Sequence, residues 1–140
     1  FGREYGFVEN YMCDDAEIII VGMGSICGTI KDVIDSLREQ GEKVGLLKVI
    51  AFRPFPKDEI YDAIKNADRI AILDKNISFG IGGVLFNEMK AKMDIDARGF
   101  IIGLGGRDVS PDDIKNIVNI TRNSTDSDKI NWIGLKEEEI

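Results

Sequence analysis

The stretch AEIIIVGMGSICGT, residues 16 to 29, decides the fold. Its first half is an unbroken apolar, β-branched run, which is the pattern of a strand buried on both faces of a parallel sheet. A glycine turn follows, and apolar residues then recur at helical spacing until Gly41, which has the position of a helix C-cap. A buried strand followed directly by an amphipathic helix predicts a βα unit.

The same alternation continues along the chain. Three more strands are predicted, at residues 43–52, 68–74 and 98–104. Helical spacing follows them in residues 58–64, 84–93 and from 111 onward. In the last helix, Ser110 is the expected N-cap and Pro111 the first helical residue. Strands that alternate with helices predict an α/β fold with a mainly parallel sheet.

The length of 140 residues predicts one domain with a substantial core. We expect this domain to span residues 16–121. Residues 1–15 show no clear period and begin without methionine, so they are expected to be a linker or docking arm from a missing upstream domain. Residues 122–140 are expected to form a tail, in which Trp132 needs a surface, either on this domain or on a missing partner.

Charge and residue usage exclude several classes of function. The net charge of −7 argues against a nucleic-acid partner, because an acidic surface does not track a phosphate backbone. An apolar run long enough for a membrane span and a signal peptide are both missing, so the expected compartment is cytoplasmic. With no histidine and two cysteines, the chain offers no usual zinc site, iron–sulfur cluster or hydrolytic triad.

Four segments follow the carboxyl ends of the predicted strands, where open parallel sheets bind ligands and partners. They are rich in glycine, arginine, proline and aspartate, and read GMGSICGT, FRPFP, DKNISFGIGG and GLGGRD. This placement indicates a working face, although sheets of this type also need glycine in their loops. In FRPFP, Arg53 and Phe55 each precede a proline, which restricts their backbone geometry.

Individual residues at these strand ends have two interpretations. GMGSICG approaches a dinucleotide fingerprint, which leaves a free-standing NADP-like nucleotide-binding module as an alternative, although the next strand ends without an acidic residue for a ribose. Ser25 and Thr29 are interpreted as helix-cap groups. Cys27 is either a reactive thiol at a helix start or an inert buried cysteine, and the second is favoured. Asp74 is interpreted as a turn cap or an arginine partner rather than a catalytic group.

Five stretches together carry a family resemblance over about residues 5 to 114: YGFVENY, VGMGSICGT, GEKVGLLKVIAFRPFP, ILDKNISFGIGG and GLGGRDVSPDDI. On these motifs the chain closely resembles the C-terminal domain of the alpha chain of pyruvate:ferredoxin oxidoreductases (pyruvate synthases). These enzymes belong to the broader family of 2-oxoacid:ferredoxin oxidoreductases. The family match favours pyruvate over 2-oxoglutarate.

The resemblance implies a transketolase C-terminal-like fold, a three-layer α/β/α sandwich. It implies an enzyme that oxidatively decarboxylates a 2-oxoacid with coenzyme A and reduces ferredoxin, using thiamine diphosphate, magnesium and iron–sulfur clusters elsewhere in the complete enzyme. This segment is expected to bind no cofactor or metal, to carry no catalytic residue, and to be inactive alone. Its expected partners are other domains or subunits of the oxidoreductase, with ferredoxin reached only through the complete enzyme.

The resemblance also gives FRPFP a role as a stiffened docking loop. Its rings would bury apolar area against a neighbouring domain, and its arginine would make a planar bidentate contact. The expected interface residues are Phe52, Arg53, Phe55, Arg107 and Asp108. The alternative is that Phe55 caps the core of its own domain, in which case the loop has no docking function.

Overall fold

The structure is a computed structural model, and it describes residues 8–50, 56–75, 84–93, 95–102, 109–123 and 130–132. Within these ranges the strands form one sheet. They are β1 (Val8–Tyr11), β2 (Ile18–Gly22), β3 (Val44–Val49), β4 (Arg69–Lys75), β5 (Ala97–Ile102) and β6 (Ile130–Trp132). The order across the sheet is β1-β3-β2-β4-β5-β6; β1 is antiparallel to β3, and the other neighbours are parallel.

Helices cover both faces of this sheet. They are α1 (Ile26–Glu39), α2 (Lys57–Ile64), α3 (Val84–Lys92) and α4 (Pro111–Asn123). Helices α1 and α4 share one buried cluster with the sheet, and α2 and α3 share the other. The predicted three-layer α/β/α sandwich with a mainly parallel sheet is therefore confirmed. Among the described helices, none combines the length and the apolar character needed to cross a bilayer.

The strand β2 shows why residues 16–29 decide the fold. All five of its residues are buried, and β3 and β4 flank it on either side. Ile18 and Ile20 lie in the cluster under α1 and α4, whereas Ile19 and Val21 lie in the cluster under α2 and α3. Because strand side chains alternate between faces, an unbroken apolar run supplies both cores at once.

Two strands lie outside the residue range expected for the domain. β1 pairs with β3 within the segment expected to be an arm, and β6 pairs with β5 within the segment expected to be a tail. The backbone of Trp132 lies beside Ile101 in that pairing. The sheet thus extends past residues 16 and 121, because strands of four and three residues are too short to show a readable alternation.

Arg38, in the last turn of α1, fastens the connection between β1 and β2. Its Nε donates to the carbonyl of Val44 at 3.0 Å, and its Nη2 donates to the carbonyl of Met12 and to Oδ1 of Asp15, both at 2.8 Å. The connection between β1 and β2 lies so close to β3 that a Cβ on Gly45 would be 2.6 Å from the Met12 oxygen. One guanidinium therefore holds three separate segments together at the amino ends of the parallel strands.

Candidate functional site

The expected interface residues lie outside the described residues, so the structure locates only the ends of the segments that carry them. These expected residues are Phe52, Arg53, Phe55, Arg107 and Asp108. The segments leave and rejoin the domain at one side of the sheet, which we call the carboxyl edge. Its described members end a parallel strand, follow one or precede the next helix: Met23, Gly24, Ser25, Ile50, Pro56, Asp74, Val109 and Ser110.

Two large apolar side chains are exposed at the carboxyl edge. Met23 is 37% exposed and Ile50 is 50% exposed. They directly follow β2 and β3, and the pairing of Gly22 with Lys48 brings them to nearly the same level of the sheet. These two side chains leave apolar area in contact with water that a protein surface can cover.

The end of the proline-rich segment is fixed in the domain. Pro56 is buried, and its carbonyl accepts a hydrogen bond from the Ile60 amide at 3.0 Å, in the first turn of α2. Asp58 and Glu59 in the same turn are favourably placed for the positive end of the helix dipole. Residues 51–55 therefore lie in the sequence between an exposed residue, Ile50, and a buried anchor, Pro56.

A capping box fixes the start of α4. Ser110 Oγ accepts a hydrogen bond from the Asp113 amide at 3.2 Å, and Asp113 Oδ2 accepts one from the Ser110 amide at 3.0 Å. The helix begins at Pro111. The predicted N-cap and first helical residue are both confirmed. The segment GLGGRD is thus separated from a well-anchored helix only by Val109 and Ser110.

Asp74 ties the end of β4 to the first turn of α3. Its side chain is buried; Oδ1 accepts a hydrogen bond from the Leu85 amide at 2.8 Å, and Oδ2 accepts one from the Phe86 amide at 2.9 Å. Burial raises the pKa of the Asp74 carboxyl, and the two amide hydrogen bonds partly oppose this rise. Asp74 is a helix cap rather than the expected turn cap, and the helix that it caps begins ten residues later.

The first turn of α3 also packs against β5. A Cβ on Gly99 would lie 2.8 Å from the ring of Phe86, so the ring packs directly on the glycine backbone. Sequence reasoning missed this contact, because nothing in RGFIIGL indicates which helix packs over its glycine. Two independent contacts, through the backbone amides and through the ring, determine where α3 begins.

The glycine turn after β2 does not have the packing of a dinucleotide fingerprint. Gly24 has a φ of +82°, which favours glycine. A Cβ on Gly22 would make only ordinary contacts, and one on Gly28 would meet nothing within 4 Å. The fingerprint requires its last glycine for close helix–strand packing, and Gly28 has no such role. Ser25 occupies the N-cap position, but its side chain makes no cap hydrogen bond, and Thr29 lies inside α1.

The cysteines are buried and serve as packing groups. Cys27 is 1% exposed, and burial raises the pKa of its thiol despite the opposing effect of nearby lysines. Cys13 donates from Sγ to the carbonyl of Leu46 at 3.1 Å. The interpretation of Cys27 as a buried cysteine is confirmed. Within the described ranges, no group of three or more His, Cys, Asp or Glu residues is placed to hold a metal ion.

Replacement of Gly28 by alanine separates the two interpretations of the glycine turn. We expect Gly28→Ala to raise the free energy of unfolding by about 0.5–1 kcal/mol, because alanine is the better helix former and the site is open. Urea denaturation of the two proteins measures the difference. A loss of stability would show that this glycine is needed for close packing after all.

A family model for the pyruvate:ferredoxin oxidoreductase core domain II matches residues 16–114. The chain belongs to this family. The match runs from the residues before β2 to the first turn of α4, so it includes the whole carboxyl edge. The resemblance read from the sequence motifs is confirmed.

Relatives of this core domain II chain are oxidoreductase subunits. Pyruvate synthase subunit PorA from Methanothermobacter thermautotrophicus is 56% identical over 139 residues, covering 99% of this chain and 36% of the relative. Ketoisovalerate oxidoreductase subunit VorA from Pyrococcus abyssi is 40% identical over 146 residues, covering 97% of this chain and 37% of the relative. The chain thus spans little more than a third of the length of these relatives.

A solved structure shares the core domain II fold. A 2-oxoglutarate:ferredoxin oxidoreductase from Magnetococcus marinus, determined with 2-oxoglutarate, coenzyme A and succinyl-CoA bound, superimposes with a TM-score of 0.70 and 21% identity. The superposition covers 80% of this chain and 19% of that chain. The likeness supports the three-layer architecture described above.

Proposed function

We propose that this chain is a non-catalytic assembly domain in the alpha chain of a pyruvate:ferredoxin oxidoreductase. The complete enzyme would oxidatively decarboxylate pyruvate with coenzyme A to acetyl-CoA and CO2, and would reduce ferredoxin. Family membership and the 56% identity to a pyruvate synthase subunit support this assignment. The carboxyl edge would dock on other domains or subunits of the same cytoplasmic enzyme.

The assembly role is supported by the burial of two chemically reactive side chains, Asp74 at the carboxyl edge and Cys27 next to it. Both carboxylate oxygens of Asp74 accept hydrogen bonds from backbone amides, and Cys27 is buried with a raised thiol pKa. A catalytic group needs access to a substrate, and neither of these side chains has it. Beside them, Met23 and Ile50 offer exposed apolar area that a protein surface can cover.

The interface itself would be centred on the two segments that rejoin the domain at Pro56 and Ser110. The rings of Phe52 and Phe55 would bury apolar area against the partner, as aromatic anchors do in protein interfaces. Arg53 and Arg107 would bind carboxylates or carbonyls of the partner, and Asp108 would add a polar contact. Residues 1–15, which include β1, would connect the domain to an upstream part of the chain.

The cofactors of the complete enzyme would be bound outside this chain. Thiamine diphosphate, magnesium and iron–sulfur clusters are the expected set, and a cluster needs about four thiolates, whereas this chain has two cysteines, both buried. The residues present therefore do not fit a cluster. We assign no residue of this chain to thiamine diphosphate or to coenzyme A.

The proposal is tested by activity that depends on assembly. The complete chain, combined with the other subunits, is expected to catalyse pyruvate- and coenzyme A-dependent reduction of ferredoxin, and the 140-residue chain alone is expected to catalyse none. Ketoisovalerate and 2-oxoglutarate serve as comparison substrates, with pyruvate expected to give at least a tenfold higher kcat/KM (about 1.4 kcal/mol).

Two results would contradict this assignment. Turnover of pyruvate by the 140-residue chain alone would show that it carries catalytic groups. Submillimolar binding of NADPH to the chain would instead support a nucleotide-binding module that uses the turn at Gly22–Gly28.

A further inference from the structure

We propose that the carboxyl edge is covered by the remainder of its own polypeptide rather than by a separate subunit. The inference rests on the proposed function, because that function places this chain within a longer alpha chain. It deepens the proposed function by assigning one occupant to the edge. The path of the backbone through the two outer strands of the sheet identifies this occupant.

The first outer strand begins at the carboxyl edge. β1 is antiparallel to β3, and its first residue, Val8, pairs with Val49, the last residue of β3. The exposed Ile50 directly follows Val49. Because neighbouring strands lie about 4.8 Å apart, the backbone enters the described part of the sheet next to Ile50.

The other outer strand ends at the same edge. β6 is parallel to β5, and its last residue, Trp132, pairs with Ile101, which pairs in turn with Asp74 of the carboxyl edge. β1 and β6 are the outermost strands, so these two points lie at the outer corners of one edge, with Met23 and Ile50 between them. Whichever end of the domain carries the remainder, the attachment lies at the carboxyl edge.

The lengths of the relatives indicate how much polypeptide could occupy this edge. The match covers 36% of the pyruvate synthase subunit from Methanothermobacter thermautotrophicus and 37% of the ketoisovalerate oxidoreductase subunit from Pyrococcus abyssi. Nearly two thirds of each relative therefore lies outside the match. A remainder of similar length would be larger than the domain itself, and it could cover the roughly 800 Å² that a standard interface needs on each side.

Covalent attachment favours the remainder over a separate subunit. Polypeptide joined to the domain meets the edge at an effective concentration that reaches about 1 mM for short linkers, whereas a separate subunit must bind from free solution. Covering Met23 and Ile50 removes apolar area from water whichever polypeptide does so. With equal contact chemistry, the attached polypeptide covers them first.

Two native methionines of similar exposure test the inference without any substitution. Met23 lies at the carboxyl edge and is 37% exposed, whereas Met12 is 46% exposed and lies at the amino ends of the parallel strands, where its carbonyl accepts a hydrogen bond from Arg38. A brief pulse of dilute hydrogen peroxide converts exposed methionine to the sulfoxide. Mass spectrometry at low extents of oxidation gives the rate at each position. Slow oxidation of the buried Met89 and Met93 shows that the domain is folded.

The pulse is applied to three samples: the separated chain, which comprises residues 1–140 alone, the complete alpha chain without other subunits, and the assembled enzyme. We expect Met23 and Met12 to oxidise within about threefold of each other in the separated chain. In the complete alpha chain alone, we expect Met23 to oxidise at least about tenfold more slowly than Met12, because an interface core excludes the reagent. Adding the other subunits is expected to slow Met23 by less than about twofold more.

The remaining outcomes contradict the inference in distinguishable ways. Slowing of Met23 that appears only when the other subunits are added would show that a separate subunit covers the edge, and it would leave the proposed function intact. Equal slowing of Met12 and Met23, or slow oxidation of Met23 already in the separated chain, would also overturn the inference. Rapid oxidation of Met23 in all three samples, including the active assembled enzyme, would overturn the docking role in the proposed function as well.

Discussion

Asp74→Ala is expected to lower the free energy of unfolding by about 3 kcal/mol. The substitution leaves the Leu85 and Phe86 amides buried without their acceptors, and each unsatisfied group costs about 1–3 kcal/mol, part of which water recovers at the edge of the domain. The first turn of α3 also loses a negative charge at the positive end of its dipole. Urea denaturation of the 140-residue chain measures the change.

The control for this substitution is Asp62→Ala in α2. Asp62 is largely exposed and forms an i,i+3 ion pair with Lys65 at 3.7 Å, so its loss is expected to change stability by less than about 0.5 kcal/mol. Hydrogen exchange provides a second measurement, since the Leu85 and Phe86 amides should lose protection only in Asp74→Ala. Retained protection of these two amides would contradict the assignment of Asp74 as their cap.

Arg38→Ala is expected to lower the free energy of unfolding by about 2–3 kcal/mol. The guanidinium donates to two backbone carbonyls, those of Met12 and Val44, and binds Asp15 through both terminal nitrogens. Hydrogen bonds from a charged group contribute about 1.5–3 kcal/mol each when buried and less here, because the side chain is partly exposed. The turn between β1 and β2 would lose its link to α1.

Arg38→Lys tests whether charge or geometry matters at this position. Lysine keeps the positive charge but presents a single ammonium in place of the planar fork, so it cannot bind the Met12 and Val44 carbonyls and the Asp15 carboxylate at once. We expect it to recover less than half of the stability lost in Arg38→Ala, as measured by the midpoint of urea denaturation. Full recovery would show that the charge alone stabilises the turn.

Much of the fold could be predicted because its signals are local. The apolar run of β2 is buried on both faces, the helical spacing after it gives α1, and Ser110 with Pro111 marks the start of α4. Each of these features depends on residues within a few positions of one another. The family could be read in the same way, since its motifs are contiguous stretches of sequence.

The features that were not predicted depend on contacts between distant residues. β1 and β6 are short, and their place in the sheet comes from pairing with β3 and β5. Asp74 accepts hydrogen bonds from two amides of α3, and Phe86 of the same helix packs on Gly99. Both contacts depend on how α3 lies across the sheet. The sequence marks such residues as polar, apolar or small, but it does not name their partners.

The central claim is that the carboxyl edge is covered by a partner in the assembled enzyme, and cysteine labelling tests it most directly. Ile50→Cys reports on that edge. Tyr61→Cys is the control, because Tyr61 has nearly the same exposure as Ile50, 53% against 50%. Tyr61 lies beside a cavity of about 230 Å³ at the amino ends of β4 and β5, away from the carboxyl edge. The native Cys13 and Cys27 are buried, so they contribute little background.

Maleimide labelling of the two variants is measured in the separated chain and in the assembled enzyme. We expect assembly to slow the labelling of Ile50→Cys by at least about tenfold, because an interface core excludes the reagent, and to leave Tyr61→Cys nearly unchanged. Labelling of Ile50→Cys at the same rate in the active assembled enzyme and in the separated chain would contradict the claim.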